Sequence, residues 1–207
     1  MKKSLLAGLF LIMFSLAGFA EKFTVSIIPG KMWEKRAPQC AVWVCDGSGN
    51  YCGTLFVTKA ASKNAWKFSP KDGRPESLPV WYGKSGADPA ASGNSDFDAV
   101  TSATPRKSIS VSQSLELESG KEYVVMAEVN QSFDYSDNFP KASTGVDGQP
   151  SVVYSAPFTA GSGEKELELS ACGTGQMNGN GNLISAEGLE KITTAKEIVS
   201  RIIVLVR

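Results

Sequence analysis

Short runs of β-branched and aromatic residues recur along the chain, and clusters of Gly, Ser, Asn, Asp and Pro separate them. Such runs predict β-strands, and the clusters between them predict turns. Seven or more short strands with this punctuation are typical of an all-β fold, and we expect an immunoglobulin-like antiparallel β-sandwich. The predicted strands cover residues 23–28, 41–44, 54–57, 108–112, 123–129, 151–158 and 166–169.

The strand 123–129 and the C-terminal region allow more specific predictions. Apolar residues are nearly continuous over 123–129, which predicts a central strand. Near the C terminus, Ser185 or Thr194 is a candidate cap for one short helix. The final apolar run, residues 202–206, predicts a strand that closes the fold.

A stretch of about forty residues, 69–108, has little strand pattern and is rich in Pro, Gly, Ser and aromatic residues. Loops of that length are uncommon inside a compact domain, and ordered ones are usually functional. We therefore predict that the sandwich carries a long functional loop at residues 69–108.

The first twenty residues have the pattern of a secretory signal peptide: Lys2 and Lys3 are followed by an apolar run and by small residues up to Ala20. No Cys directly follows the apolar run, so a lipid anchor is not indicated. No later run approaches the roughly twenty apolar residues of a transmembrane helix. We expect residues 21–207 to form a single domain in the periplasm or another extracytosolic space.

Charge and composition narrow the function classes. Lys and Arg number 21, Asp and Glu also number 21, and the chain contains no His. This balance does not indicate a nucleic-acid surface. The absence of His excludes the usual Ser-His and Cys-His nucleophile pairs and argues against zinc.

The four cysteines of an exported chain favour disulfides over metal binding or thiol catalysis. Cys45 and Cys52 flank a turn-rich segment, so a bridge across that hairpin is one expectation. Cys40 would then pair with Cys172. Four cysteines allow three connectivities, and the other two stay open.

Residues 98–104 match Asp-x-x-[Ser/Thr]-[Gly/Ser/Ala]-Ala-[Ser/Thr], the acceptor pattern for covalent FMN. The Thr104 hydroxyl can attack the diphosphate of FAD on a transferase, which leaves FMN in a phosphoester and releases AMP. Small side chains at Ser102 and Ala103 leave room for that enzyme. The alternative is a polar turn in which Asp98 and Thr101 hydrogen-bond the local backbone.

Aromatic residues of the same segment suggest a second role. An isoalloxazine ring stacks well on an aromatic face, so Trp81 or Tyr82 could pack against the flavin. The alternative is that these side chains anchor the long loop to the sandwich.

The order of these features resembles a predicted periplasmic domain-of-unknown-function family over about residues 23–161. The resemblance rests on Trp43 before an Asp-Gly-x-Gly-Asn turn, Trp66 and Trp81 around a Pro-rich loop, residues 97–105, and the strand 123–130. Members of that family carry the flavin-acceptor sequence and are thought to serve extracytosolic electron transfer. Asp98, Thr101, Ala103 and Thr104 match that sequence, whereas Ser102 stands where members more often have Gly.

Residues 176–187 have the spacing of a twelve-residue calcium loop, with oxygen donors at Asn178, Asn180 and Asn182 and a final Glu187. Three amides replace the usual carboxylates, which predicts poor affinity. Alternating Asn and Gly is also typical of a tight turn, which is the competing interpretation. The loop 130–137 carries two carboxylates, Asp134 and Asp137, with the same alternatives.

The sequence therefore predicts an exported carrier of electrons with covalent FMN on Thr104, rather than an enzyme that converts a substrate. The implied partners are an exported FMN transferase and a membrane electron-transfer protein that acts as donor or acceptor. The alternative is a non-enzymatic, disulfide-stabilised β-sandwich that binds an envelope partner or a ligand.

Overall fold

The structure is a computed structural model that describes residues 18–33, 35–61, 74–85, 108–175 and 184–207. Half of the described residues lie in strands, and the strands form two antiparallel sheets, so the protein is an all-β sandwich. The strands are β1 (Gly18–Pro29), β2 (Gln39–Asp46), β3 (Tyr51–Val57), β4 (Ile109–Glu118), β5 (Glu122–Asn130), β6 (Val152–Thr159), β7 (Lys165–Glu168), β8 (Ser170–Gly175), β9 (Ile184–Ser185) and β10 (Val199–Val206).

Sheet 1 has the strand order β4-β1-β10-β7, and sheet 2 has the order β3-β2-β5-β6-β8-β9. The described residues also form two short helices, α1 (Pro79–Ser85) and α2 (Lys141–Thr144), and two single 3₁₀ turns, Leu189–Lys191 and Thr194–Glu197. All seven predicted strands lie on observed ones, and the final run 202–206 belongs to β10. The immunoglobulin-like type stays a prediction.

The main core lies between the sheets, because alternate side chains of a strand point to opposite faces. In β1, Phe23, Val25 and Ile27 are buried there, whereas Lys22 on the other face is exposed. Cleavage after Ala20 would shorten β1, which begins at Gly18, but would leave these three core residues in place.

A second apolar cluster covers the outer face of sheet 2. Trp43 of β2 and Met126 of β5 pack there against Leu78, Val80 and Trp81 of the α1 region. Strand β5 is therefore buried on both faces, with β2 and β6 beside it, which confirms the predicted central strand.

The predicted loop 69–108 is partly wrong, because its described part contains α1 with a buried face. A short helix before the final strand is present as the 3₁₀ turn that begins at Thr194, but the predicted caps are wrong: Ser185 lies in β9, and no side chain caps this turn. The Thr194 hydroxyl instead donates to the carboxylate of Asp134 at 2.6 Å, a partner 60 residues away in the sequence. In the described part of the chain, no helix is long and apolar enough to cross a membrane.

Candidate functional site

The flavin-acceptor residues Asp98, Thr101, Ser102, Ala103 and Thr104 lie outside the described residues. Their roles therefore stay predictions from the sequence. The structure describes the residues where this part of the chain leaves the sandwich and rejoins it, Ser85 and Ser108.

These two residues lie at opposite ends of the sandwich. Lys84, beside Ser85, donates from Nζ to the carbonyl of Gly49 at 2.7 Å, in the turn between β2 and β3. Ser108 precedes Ile109, which pairs with Ile27 near the end of β1. We call the end with Ile109 and the β1–β2 turn the upper end, and the end with Gly49 the lower end.

A cleft of about 610 Å³ opens at the lower end, between the β2–β3 turn and the end of β4. Its lining includes Asp46, Glu116, Glu118 and Glu122, with Lys121 as the one cation among its described residues. The Lys121 ammonium is paired with Glu118 at 2.6 Å. This acidic surface disfavours the phosphate of FMN, because like charges repel.

Trp81 is fully buried, so it presents no free face to a flavin. Its indole N–H donates to the Thr54 hydroxyl at 2.9 Å, and its ring contacts that of Tyr82 edge to face at 4.8 Å. The geometry favours the alternative role, in which Trp81 anchors the segment to sheet 2. The bond to FMN forms at a hydroxyl and does not involve this ring.

Tyr82 is partly buried, and both hydrogen-bonding capacities of its hydroxyl are used. The hydroxyl donates to the carbonyl of Ala61 in a short hydrogen bond and accepts from the backbone N–H of Arg74 at 3.1 Å. Burial raises the pKa of Tyr82 to about 12. Tyr82 therefore also serves as an anchor, between α1 and the residues that precede it.

Arg74 connects the α1 region to the loop between β5 and β6. Its guanidinium donates to Glu76 at 3.0 Å, to the hydroxyl of Ser132 at 2.7 Å and to Asp147 at 2.8 Å. The Arg74 side chain is only 12% exposed, so these ion pairs are less screened than surface pairs. They hold this part of the chain against the upper end.

Glu128 is a buried carboxylate that belongs to none of the motifs in the sequence. It lies on β5 beneath α1 and accepts from the backbone N–H of Trp81 at 2.8 Å, from that of Val80 at 3.3 Å and from the Ser151 hydroxyl at 2.6 Å. Burial raises its pKa to about 7, although the three donors act in the opposite direction. A side chain at position 175, which is Gly, would collide with this group.

The four cysteines are free thiols, so neither predicted bridge is formed. Cys40 and Cys172 are separated by three strand spacings, because β5 and β6 lie between β2 and β8. That amounts to about 14 Å, twice the roughly 7 Å that a disulfide allows. The pairing of Cys40 with Cys172 is therefore wrong.

Cys45 and Cys52 are close along the hairpin, but they lie in different surroundings. Val44 pairs with Gly53 and Cys45 with Tyr51, so Cys52 is the extra residue of a β-bulge. Cys52 lines the cleft at the lower end, whereas Cys45 packs in the outer cluster of sheet 2. Cys45 is buried and its sulfur accepts from the Trp43 indole N–H at 3.2 Å, whereas Cys52 is exposed. Burial raises the pKa of both thiols, that of Cys52 to about 11.

Thiol titration tests this correction. We expect four reactive thiols per unfolded chain under non-reducing conditions. In the folded protein, the exposed Cys52 should react before the others and the fully buried Cys40 last. Fewer than four thiols in the unfolded chain would contradict the structure and restore a bridge.

The calcium prediction is mostly outside the described residues, which include Glu187 but not Asn178, Asn180 or Asn182. Within the described ranges, no cluster of three or more acidic or Cys side chains could hold a metal ion. Asp134 of the loop 130–137 accepts instead from Gln149 at 2.9 Å and from Thr194. Its carboxylate holds loops together.

No protein-family model, curated protein or solved structure matches this chain. The resemblance to the periplasmic flavin-acceptor family therefore stays a prediction.

Proposed function

We propose that this protein is exported, receives FMN covalently on Thr104 and carries electrons between a membrane donor and an extracytosolic acceptor. The observation that carries the proposal is the acceptor sequence from Asp98 to Thr104. The signal-peptide pattern of residues 1–20 supports it, because a covalent bond keeps a flavin from being lost by dilution outside the cell.

The attachment reaction balances without any catalytic group from this chain. The Thr104 oxygen forms a bond to the phosphorus of the FMN half of FAD, and the diphosphate bond breaks. AMP leaves, and the hydroxyl proton passes to a base of the transferase. Once attached, the flavin supplies the redox chemistry, and the protein supplies its placement.

The described residues hold both ends of the segment that carries the acceptor sequence, which supports the proposal. The Lys84 contact with Gly49 fixes one end, and the pairing of Ile109 with Ile27 fixes the other. Trp81 and Arg74 add anchors on the side of α1. Substitutions at the acceptor sequence should therefore change labelling without loss of the core.

Flavin attachment is tested by co-expression with an exported FMN transferase. We expect an intact mass increased by one FMN, and yellow colour that persists after denaturation. Thr104→Ala should abolish both signals, and Asp98→Ala should reduce labelling through weaker recognition. Ser102→Ala is the matched control, because it removes a neighbouring hydroxyl but keeps the acceptor.

Two results would overturn the proposal. Wild-type protein of unchanged mass would remove the flavin function and leave the alternative, a β-sandwich that binds a partner. Labelling of Thr104→Ala at the wild-type level would place the acceptor at another residue.

A further inference from the structure

The loop that follows β5 has an inverted burial pattern. Gln131, Ser132 and Asp134 are polar and buried, whereas Phe133 between them is 44% exposed. Surface loops usually expose their polar residues, and an exposed large apolar side chain within a buried polar run is unusual. The loop therefore presents Phe133 to its surroundings.

Hydrogen bonds on both sides of Phe133 fix this arrangement. The Gln131 amide donates to the carbonyls of Met32 and Arg36 at 2.9 and 2.7 Å. On the other side, the Asp134 carbonyl accepts from the backbone N–H of Gln149 at 2.7 Å. These hydrogen bonds fix the loop backbone on both sides of Phe133 and turn Gln131 and Asp134 inward, so the Phe133 side chain points outward.

The backbone of Phe133 is strained. Its φ is 62°, and it is the one residue other than Gly with a positive φ in the described part of the chain. A bulky side chain disfavours this left-handed region, and such outliers cluster at functional sites. The exposed ring and the positive φ both make Phe energetically unfavourable at position 133. A binding role of the ring would explain why Phe is present there.

The ring has neighbours that fit protein recognition. The guanidinium carbon of Arg36 lies 4.8 Å from the ring centroid, and Phe133 donates its backbone N–H to the carbonyl of Val146, which is 49% exposed. Among the described residues no carboxylate pairs with Arg36. We call Arg36, Phe133 and Val146 the Phe133 patch.

A rigid aromatic ring beside an arginine is the typical composition of an interface hot spot. The complement of a guanidinium over an apolar ring is an apolar pocket bordered by carboxylates. The patch therefore fits a protein partner with such a pocket.

The position of the patch indicates which partner it fits. Ile109, where the chain rejoins the sandwich, pairs with Ile27 near the end of β1, and Arg36 lies in the turn that follows β1. Thr104 precedes Ser108 by four residues, a reach of at most about 14 Å. An enzyme that acts on Thr104 therefore works within that reach of Ser108, at the end of the sandwich that also carries the patch.

We propose that the Phe133 patch is a docking surface for the exported FMN transferase, which would receive Phe133 in an apolar pocket bordered by carboxylates. This inference rests on the proposed function. It adds that the transferase recognises the folded sandwich as well as the acceptor sequence.

The test measures labelling kinetics of the full chain with the transferase and FAD. Phe133→Gly should lower kcat/KM about tenfold or more through KM, with a melting temperature at or above that of wild type, because Gly adopts this φ freely. Arg36→Glu should lower kcat/KM similarly. Arg201→Ala is the control, because Arg201 is an exposed arginine on sheet 1 that pairs with Glu168.

Salt provides a second readout. Raising the salt concentration should lower kcat/KM of wild type and leave that of Arg36→Ala nearly unchanged, because the guanidinium supplies the screened attraction. A structural role of Arg36 would not produce this difference.

The outcomes separate the two proposals. Wild-type labelling with unchanged kcat/KM in Phe133→Gly and Arg36→Glu would overturn the docking surface and leave the flavin function intact. Failure of wild type to be labelled would end both. A wild-type dimer that Phe133→Gly converts to monomer would assign the patch to a second copy of the chain and overturn the transferase as its occupant.

Discussion

Trp81→Ala is expected to lower the free energy of unfolding by about 3–5 kcal/mol, the usual cost of truncating a buried aromatic side chain. Trp81 is fully buried against the outer face of sheet 2. The substitution also leaves the Thr54 hydroxyl without the indole N–H that it accepts at 2.9 Å. Urea denaturation followed by far-UV circular dichroism measures the change.

Lys59→Ala is the matched control, because Lys59 is exposed in the turn after β3 that contacts α1 through the Ala61 carbonyl. We expect a change within about 0.5 kcal/mol for this variant. If Trp81→Ala unfolds like the control, α1 is not part of the core.

Deletion of residues 69–108 removes Leu78, Val80 and Trp81 together, so we expect it to destabilise the sandwich. The protein would tolerate this deletion only if α1 were not part of the core.

The strands could be predicted because local pattern and tertiary environment agree in them. In β1, alternation of Phe23, Val25 and Ile27 with polar residues has the period of a half-buried strand. In β5, the continuous apolar run corresponds to a strand covered on both sides by the two cores. Each pattern follows from burial of the strand itself.

The helix α1 could not be predicted because its pattern is short and lies in a segment rich in Pro and Gly. Seven residues give two turns, too few to show a helical period. Its first amide groups are bound by Glu128, which is 47 residues from Trp81 in the sequence. A cap from a distant strand leaves no local signal.

The cysteine pairing was wrong for a related reason. The count of cysteines and the compartment indicate disulfides, but whether two thiols meet depends on strand order and on the face of the sheet. Cys40 faces the main core and Cys172 packs with the cluster under α1. The sequence also shows Phe133 only as one aromatic residue in a polar loop, since its exposure depends on partners of Gln131 and Asp134 far along the chain.

Glu128 gives the second large expected effect, a fall in stability as the pH rises. Its pKa is raised by burial from 4.5 to about 7 in the folded protein, so the folded state holds a proton that the unfolded state releases between these values. Stability from this group is full below about pH 4.5 and is lost as the pH rises to 7. The shift corresponds to about 3 kcal/mol by proton linkage.

Glu128→Gln should remove this part of the pH dependence, which thermal or urea unfolding at about pH 5 to 8 would show as a flatter profile. Near about pH 5 the wild-type group is a protonated acid whose hydroxyl oxygen can still accept, whereas the amide nitrogen of glutamine only donates. One of the donors Val80, Trp81 and Ser151 therefore loses a partner in the variant. We therefore expect the variant to be less stable than wild type near about pH 5 and to approach it near about pH 8. Glu122→Gln, an exposed carboxyl on the same strand, should keep the wild-type slope. An unchanged slope in Glu128→Gln would mean that another group titrates and that Glu128 stays ionised beneath α1, held by its three donors.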